Sequence, residues 1–257
     1  MEFPDLYRKV AFLSKRDANK ALAEFTFNNR WKENASIIDI GSGDGSTTKT
    51  ILEKHATPSY SKIVGCDISP QMVKYANEHF RSEHIEFMQL DITKQLPLFL
   101  KDAFDHAFSF YVFQRIQQQE AAFSFIYNSL KDGGSCLLIF LGRYPVYDVY
   151  RTLARKAKWA EDLKDVETFT SPYHDSPDPK NDVRNIMVSI GFKEIEVNVF
   201  DNTHTYNDAN TFKCLVKAVN PFSTLNERWE EFMKDYFEVA PNAIKMDYQL
   251  IVAYGIK

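Results

Sequence analysis

The sequence predicts an α/β fold, a doubly wound and mostly parallel sheet with helices on both faces and helical insertions toward its C-terminal half. Three observations carry that expectation. Short apolar runs alternate with helix-like runs over residues 36–141. The first apolar run ends in Asp39-Ile40-Gly41-Ser42-Gly43-Asp44-Gly45, a Gly-x-Gly-x-Gly loop that leads into a helix-like stretch. The chain has 257 residues, 44% of them hydrophobic, enough for one sizeable core or one core with an attached lid.

The elements follow in order. Pro4 to about Asn29 reads as helical, with Leu6, Val10 and Leu13 on one face and then Ala21, Leu22 and Phe25. Strands are expected at Ser36–Ile40, Lys62–Cys66, Ile85–Leu90, Phe104–Phe110 and Ser135–Leu141. Helices are expected between them at Thr47–Lys54, Pro70–Phe80 and Gln114–Leu130. Ser69 can cap the second of these, and Pro70 suits a first helical position. Beyond Leu141 a helix-like stretch runs from Tyr144 to about Leu163, and a Pro-rich loop covers residues 171–179. A helix at Val183–Ile190, ended by Gly191, and a strand at Phe192–Phe200 come next. Residues 201–242 read as mostly helical, with Trp229, Phe232, Met233, Tyr236 and Phe237 marking an amphipathic helix. That helix could pack on its own domain or on a second subunit as a homodimer. An apolar strand, Tyr248–Tyr254, closes the chain. The expected organisation is one domain over 1–257: a helical cap at 1–30, a ligand-binding core at 31–142, and lid insertions at 143–180 and 201–246.

Net charge is −4 and the pI about 5.9, so the basic excess of a nucleic-acid-binding chain is absent. The N-terminal residues lack the apolar stretch of a signal peptide, and the run Cys136–Leu141 is far too short to span a bilayer. Cys66, Cys136 and Cys214 are odd in number and far apart, which suits a reduced, cytoplasmic protein. The six histidines match no metal-ligand spacing, and His106, inside a strand, reads as a packed residue. No Gly-x-Ser-x-Gly elbow offers hydrolase chemistry.

Three glycines at alternate positions let the backbone turn tightly and approach a ligand with no Cβ in the way, while the following helix aims its N–H groups at the same spot. The spacing departs from the Gly-x-Gly-x-x-Gly of dinucleotide sites, since Ser46 stands at the third glycine, and there is no Gly-Lys-Ser/Thr of a P-loop. Acids then recur at strand ends: Asp39 before the loop, Asp67 after the second strand and Asp91 after the third. Asp39 would repel a pyrophosphate but suits an ammonium group, and Asp67 can accept both hydroxyls of a ribose. A ribose, an adenine and a cationic amino-acid tail describe S-adenosylmethionine. The expected cofactor contacts are Asp39, Gly41, Ser42, Gly43, Asp67, Ile68, Asp91, Ile92 and Ser109.

The pattern resembles a class I methyltransferase, and several stretches resemble the insect juvenile hormone acid methyltransferases. These are Asp5-Leu6-Tyr7, Arg16-Asp17-Ala18, Cys66-Asp-Ile-Ser-Pro-Gln-Met-Val73, Ser109-Phe-Tyr111, Ile126-Tyr127-Asn128, Pro145-Val-Tyr-Asp-Val-Tyr150, Lys158-Trp159, Asp165-Val166-Glu167 and Leu250-Ile-Val-Ala-Tyr254. The resemblance implies about seven strands with the last reversed, and methyl transfer to a sesquiterpenoid acid. An apolar pocket for that acid is expected from Phe110, Tyr111, Phe113, Tyr144, Tyr147, Tyr150 and Trp159.

Two positions depart from the family. Ser14 stands where the family carries a glutamine, and Gln114-Arg115 where it carries His-Trp. The glutamine and tryptophan are the residues that the resemblance assigns to the acceptor carboxylate, so Ser14 and Arg115 inherit those positions. Serine is too short to replace glutamine at the same distance, whereas arginine can hold a carboxylate in a bidentate fork. The expectation is an acid methyltransferase with reduced or shifted activity. Its alternatives are a non-catalytic binder of cofactor or terpenoid, and a methyltransferase for another small molecule.

Overall fold

The computed structural model describes residues 3–28, 30–56 and 60–257. Two helices, α1 (Pro4–Val10) and α2 (Phe12–Phe27), precede the first strand, β1 (Ala35–Ile40). A π-helical turn at Thr48–Leu52 runs into α3 (Glu53–Ala56), followed by β2 (Tyr60–Asp67), α4 (Pro70–Phe80) and β3 (Ile85–Gln89). Next come β4 (Phe104–Phe110), α5 (Gln119–Ser129) and β5 (Leu130–Leu141). The C-terminal part holds α6 (Pro145–Ala154), α7 (Val166–Phe169), α8 (Pro179–Ile190), β6 (Lys193–Thr205), α9 (Ala209–Val219), α10 (Trp229–Val239) and β7 (Lys245–Ile256).

The seven strands form one sheet in the order β3-β2-β1-β4-β5-β7-β6. β7 runs antiparallel to both its neighbours, β5 and β6, and every other pair is parallel. The expected parallel sheet with a reversed final strand is present. The reason lies in burial. β1 is buried along its whole length and β4 nearly so, as continuous apolar runs covered on both faces require. Two apolar cores flank the sheet, one under α2, α6, α9 and α10, the other under α5 and α8. Ser69 Oγ accepts from the Met72 N–H at 3.4 Å to cap α4, and Gly191 ends α8 at φ 112°. Among the described residues no helix is long and apolar enough to cross a membrane.

Several boundaries differ from the expectation. The N-terminal helix breaks at Ala11, whose ψ of 24° ends α1 before α2 starts, and its expected end at Asn29 lies outside the described residues. Phe113–Arg115 form a 3-10 turn instead of the start of α5. The helix after Tyr144 stops at Ala154, followed by turns. β6 continues to Thr205, so the segment expected to be helical from residue 201 starts as an edge strand paired with β7. Long-range pairing with β7 set this last one, and no local pattern announces it. The apolar side of α10 is buried within this chain, with Phe232 and Met233 at 0% exposure, so that face is not left over for a second subunit.

His106 in β4 is packed, as expected, against Phe25 and Trp31. Its Nε2 accepts from the Lys32 N–H at 3.0 Å, which leaves the proton on Nδ1, 2.9 Å from Ser135 Oγ. Burial pushes its pKa down to about 4. The unfolded chain therefore takes up a proton near pH 6.5 that the folded one refuses, so this stabilisation is full above that value and fades as pH falls toward 4. It amounts to about 3 kcal/mol. Urea denaturation should show His106→Asn less stable at neutral pH but with a shallower loss on acidification; parallel curves would exclude the effect.

Candidate active site

The loop after β1 holds Gly41, Gly43 and Gly45 at φ 72°, 56° and 79°, all left-handed. Their reasons differ. A Cβ on Gly41 would lie 2.1 Å from Val112 Cγ2, and one on Gly45 2.8 Å from Ala76 Cβ, so those two pack the loop onto its neighbours. A Cβ on Gly43 would meet nothing nearer than Tyr7 Cε1 at 3.8 Å. Gly43 is the glycine that turns a bare backbone toward open space.

Acids surround this turn. Asp67 accepts from the Gly43 N–H and the Ser69 N–H, both at 2.9 Å, one on each oxygen. Asp39 is fully buried: Oδ2 accepts from Thr48 Oγ1 at 2.6 Å, and Oδ1 has no partner. Burial pushes its carboxyl up to about 7, the Thr48 hydroxyl pulls back, and Asp67 adds repulsion. Ser42 Oγ and Asp44 Oδ2 are likewise buried without partners. Burial also raises the Asp44 carboxyl, against the bonds from Ser46 and the nearby Lys15 and Arg8. Two unmatched carboxylate oxygens and a hydroxyl at a bare backbone turn fit a cationic ligand rich in hydrogen-bonding groups. They do not fit a pyrophosphate.

Other expected cofactor positions sit at the same sheet edge. Ser109 Oγ donates to the Ile40 carbonyl at 2.9 Å and ties β4 to the loop strand. Asp91 accepts from the Thr93 N–H and Oγ1, which holds its carboxyl below the ordinary value. Ile92 is buried, while Ile68 is 63% exposed.

Beside the loop opens a cavity of roughly 940 Å³, its mouth included. Tyr7, Val10, Leu13 and Ser14 from the N-terminal helices form one wall. Tyr111, Gln114, Arg115 and Leu141 follow the ends of β4 and β5, and Tyr144, Tyr147 and Tyr150 come from α6 and its start. Val166, Phe169, Leu215 and Val219 complete it. The wall is mostly apolar. Its fixed charge is Arg115, whose Nη2 donates to the Val219 carbonyl at 3.0 Å. Among the described residues no carboxylate lies within ion-pair distance of Arg115. The Arg115 charge draws down the hydroxyls of Tyr7, Tyr147 and Tyr150, although burial wins at each and leaves them raised.

The structure thus brings Ser14, Arg115, Tyr111, Tyr144, Tyr147 and Tyr150 to one cavity. It does not bring Trp159 or Phe110 there. Trp159 is fully buried under α10, its indole donating to Asp235 Oδ2 at 2.8 Å and its ring against Phe232. Phe110 packs in the core on Phe108. Phe113, the remaining aromatic of that expectation, is at 0% exposure against Phe123 and Phe140. Phe110 is the last residue of β4 and faces the core, while Tyr111, just past the strand end at φ 63°, turns to the cavity.

Ser14 Oγ donates to the Ala11 carbonyl at 3.0 Å, and Gln114 spends its amide on the Tyr111 carbonyl and the Leu141 N–H. Arg115 is therefore the polar departure that stays available to a ligand.

A family model described as a methyltransferase domain matches residues 38–136. Over its full length the chain is 42% identical to the juvenile hormone acid O-methyltransferase of Bombyx mori, covering 98% of that protein. It is 34% identical to the enzyme of the same name from Drosophila melanogaster, again over the full chain and 93% of that protein.

The chain belongs to the juvenile hormone acid O-methyltransferase family.

It is a class I, S-adenosylmethionine-dependent methyltransferase. Solved structures share the fold. The YcgJ protein of Bacillus subtilis superposes at a TM-score of 0.62 with 15% identity, covering 93% of this chain and 98% of that one. Phosphoethanolamine N-methyltransferase 2 of Haemonchus contortus, solved with S-adenosylhomocysteine, gives 0.57 at 17% identity over 93% of this chain and 53% of that one.

Sequence reasoning took Asp5-Leu6-Tyr7 and Arg16-Asp17-Ala18 only as marks of the family, and the structure gives them work in the methyltransferase. Asp5 accepts from the Tyr75 hydroxyl at 2.9 Å and holds α1 across the loop. That places Tyr7 between the Gly43 turn and the cavity. Asp17, 5% exposed, accepts from Tyr111 at 2.6 Å, Tyr248 at 3.0 Å and Arg16 at 2.8 Å. These bonds hold Tyr111 at φ 63°, a conformation that a tyrosine rarely adopts.

Proposed function

We propose that this enzyme transfers the methyl group of S-adenosylmethionine to the carboxylate of a sesquiterpenoid acid, juvenile hormone acid or farnesoic acid. The observation that carries this reading is Arg115, a solvent-exposed cation with no acid partner among the described residues, on the wall of a mostly apolar cavity that adjoins the glycine loop through Tyr7. An apolar acid has the complementary shape: one charge and a long hydrocarbon. The two relatives named for juvenile hormone acid support the substrate class.

The cofactor supplies an electrophilic methyl group on a sulfonium. Gly41, Ser42 and Gly43 would cradle it, with Asp39 facing the ammonium and Asp67 the ribose, and with Ile68, Asp91, Ile92 and Ser109 around the adenine end. The acceptor needs no general base, because a carboxyl with a pKa of about 4–5 is already ionised at neutral pH. Arg115 and Tyr7 donate to that carboxylate and aim one oxygen at the methyl carbon. The aliphatic walls, Val10, Leu13, Leu141 and Leu215 among them, keep water from competing. A guanidinium that holds the acid firmly also withdraws charge from the attacking oxygen, so strong binding comes with slower chemistry. That is the physical basis for a weakened or shifted activity. The three free cysteines, two of them buried, support a reducing, cytoplasmic setting.

The test is incubation with labelled S-adenosylmethionine and a panel of farnesoid and straight-chain fatty acids. Labelled methyl ester from the farnesoid acids is the expected result. Tight cofactor binding with no ester from any acid would instead favour a non-catalytic binding protein.

Asp39 gives the cofactor step a pH signature. Its carboxyl is held up to about 7 while the site lacks a cation, so binding an ammonium there must release a proton. Affinity for S-adenosylmethionine should rise as pH increases from about 5 to 7. Calorimetry should show that rise lost in Asp39→Asn; a slope that survives the substitution would remove Asp39 from the ammonium site.

A further inference from the structure

The methyl-transfer reading leaves one buried imidazole without a task. His174 lies in the Pro-rich loop between α7 and α8 and is 5% exposed. That loop is tied down on several sides. Ser171 Oγ donates to the Leu141 carbonyl at 3.1 Å, and the Tyr173 hydroxyl donates to Gln119 Oε1 at 2.7 Å. Arg151 of α6 grips Asp175 at 2.7 Å. The His174 ring is thereby delivered to the first turn of α6. There Nδ1 accepts from the Tyr144 N–H at 3.1 Å, and Nε2 lies 3.0 Å from Asp148 Oδ1. The ring also packs on Tyr147, with centroids 5.3 Å apart and planes at 76°.

These bonds fix the tautomer. A ring nitrogen that accepts from an N–H carries no proton, so the proton sits on Nε2 and is donated to Asp148. Asp148 thus keeps the Nδ1 lone pair turned toward Tyr144. The start of α6 has no side-chain cap of its own, and His174 supplies an acceptor there. Tyr144 and Tyr147 both line the cavity and meet edge to face at 5.5 Å. The Tyr147 hydroxyl lies in the field of Arg115. His174 does not line the cavity; it stands behind the wall that the acceptor meets from the front. We propose that His174, oriented by Asp148, is a positioning residue for the acceptor, setting how Tyr144 and Tyr147 face the cavity. This rests on the proposed reading of the cavity as the acceptor site. A support behind such a wall governs the affinity for what the wall holds and leaves the glycine loop as it was.

The experiment uses the full chain. With 15N-labelled histidine, the His174 resonances should show Nε2 protonated and Nδ1 bare; a proton on Nδ1 overturns the proposal. The wall is read from the Tyr147 ring resonances of the free enzyme. They should be disturbed in His174→Ala and restored in His174→Asn, whose Oδ1 falls near the place of Nδ1 and can accept from the Tyr144 N–H. In the methyl-ester assay His174→Ala should raise KM for a farnesoid acid about tenfold with kcat little changed, and His174→Asn should recover most of it. Calorimetry should find the affinity for S-adenosylhomocysteine unaltered. In a Tyr147→Ala background, removing His174 should change KM by about threefold or less, because part of the wall it supports is gone. An equal effect in both backgrounds overturns the proposal, since a residue that only stabilises the fold acts alike with or without Tyr147. An unchanged KM in His174→Ala overturns it too. If His174→Ala does not fold, His174→Gln, which can reach Asp148 but not the Tyr144 N–H, takes its place and should show the same raised KM. If the Tyr147 ring responds as expected but no acid yields ester, the acid-methyltransferase reading fails while the positioning role stands. Ester formation with an undisturbed ring removes the positioning role alone.

Discussion

Arg115→Ala should lower kcat/KM for the farnesoid acid by roughly a hundredfold, most of it as a higher KM, because an acid entering an apolar cavity then has no cation to meet. The guanidinium is positioned by its bond to the Val219 carbonyl, and the tyrosines around it supply no positive charge. Arg115→Lys should recover only part of the loss, since an ammonium cannot grip both carboxylate oxygens in one plane. The double substitution Ser14→Gln with Arg115→Trp should do something different. It exchanges an ionic grip for neutral donors, so KM should rise while kcat also rises, the oxygen having regained its charge. Steady-state kinetics with quantified methyl ester separates these outcomes. An Arg115→Ala enzyme with an unchanged KM would place the carboxylate elsewhere, and a double variant with no gain in kcat would refute the argument about withdrawn charge.

The glycine loop gives the second large effect, and its three glycines should not behave alike. Gly43→Ala has room in the free protein, with Tyr7 Cε1 at 3.8 Å, so the folded state should lose only about 1 kcal/mol for a left-handed alanine. The new methyl group nevertheless projects where the bare backbone faces the cofactor, and affinity for S-adenosylhomocysteine should drop by about a hundredfold or more. Gly41→Ala pushes a methyl group to 2.1 Å from Val112 Cγ2, so the damage should appear as lost stability, about 3 kcal/mol or more. Thermal melts and calorimetry on the two variants decide this. If Gly43→Ala keeps its affinity, the turn does not face the cofactor. If both variants melt alike, the packing distinction is wrong.

Much of the fold was legible because its causes are local. The first four strands and the caps at Ser69 and Gly191 were read within a residue or two, since period, capping and left-handed turns are written in short windows, whereas β5 and β7 begin five and three residues earlier than their apolar runs. The extension of β6 to Thr205 was not, because pairing with Lys245 on β7 decides it from forty residues away. The acids proposed for the cofactor were found in the sequence for the same reason as the strands: acids that end parallel strands arrive at one edge of the sheet. The acceptor side was harder. Trp159 and Tyr150 look alike as aromatics in the same insertion, yet one is sealed against α10 and the other faces the cavity. Tyr7 and Asp17 carried no chemical signal of their own until α1 and α2 were seen to lie across the loop.

The sequence by itself determined a parallel α/β core, the Gly41–Gly45 turn, its acidic surroundings and the two departures at Ser14 and Arg115, all properties of residue type and short spacing. Only the tertiary structure showed how those two side chains are engaged, since Ser14 turns its hydroxyl onto the Ala11 carbonyl while Arg115 lines the cavity with no acid partner among the described residues. It also decided which aromatics line the cavity and which are sealed in the core. The reason is that the cavity is assembled from segments far apart in the chain, and which way a side chain faces there depends on how separate helices pack on the sheet.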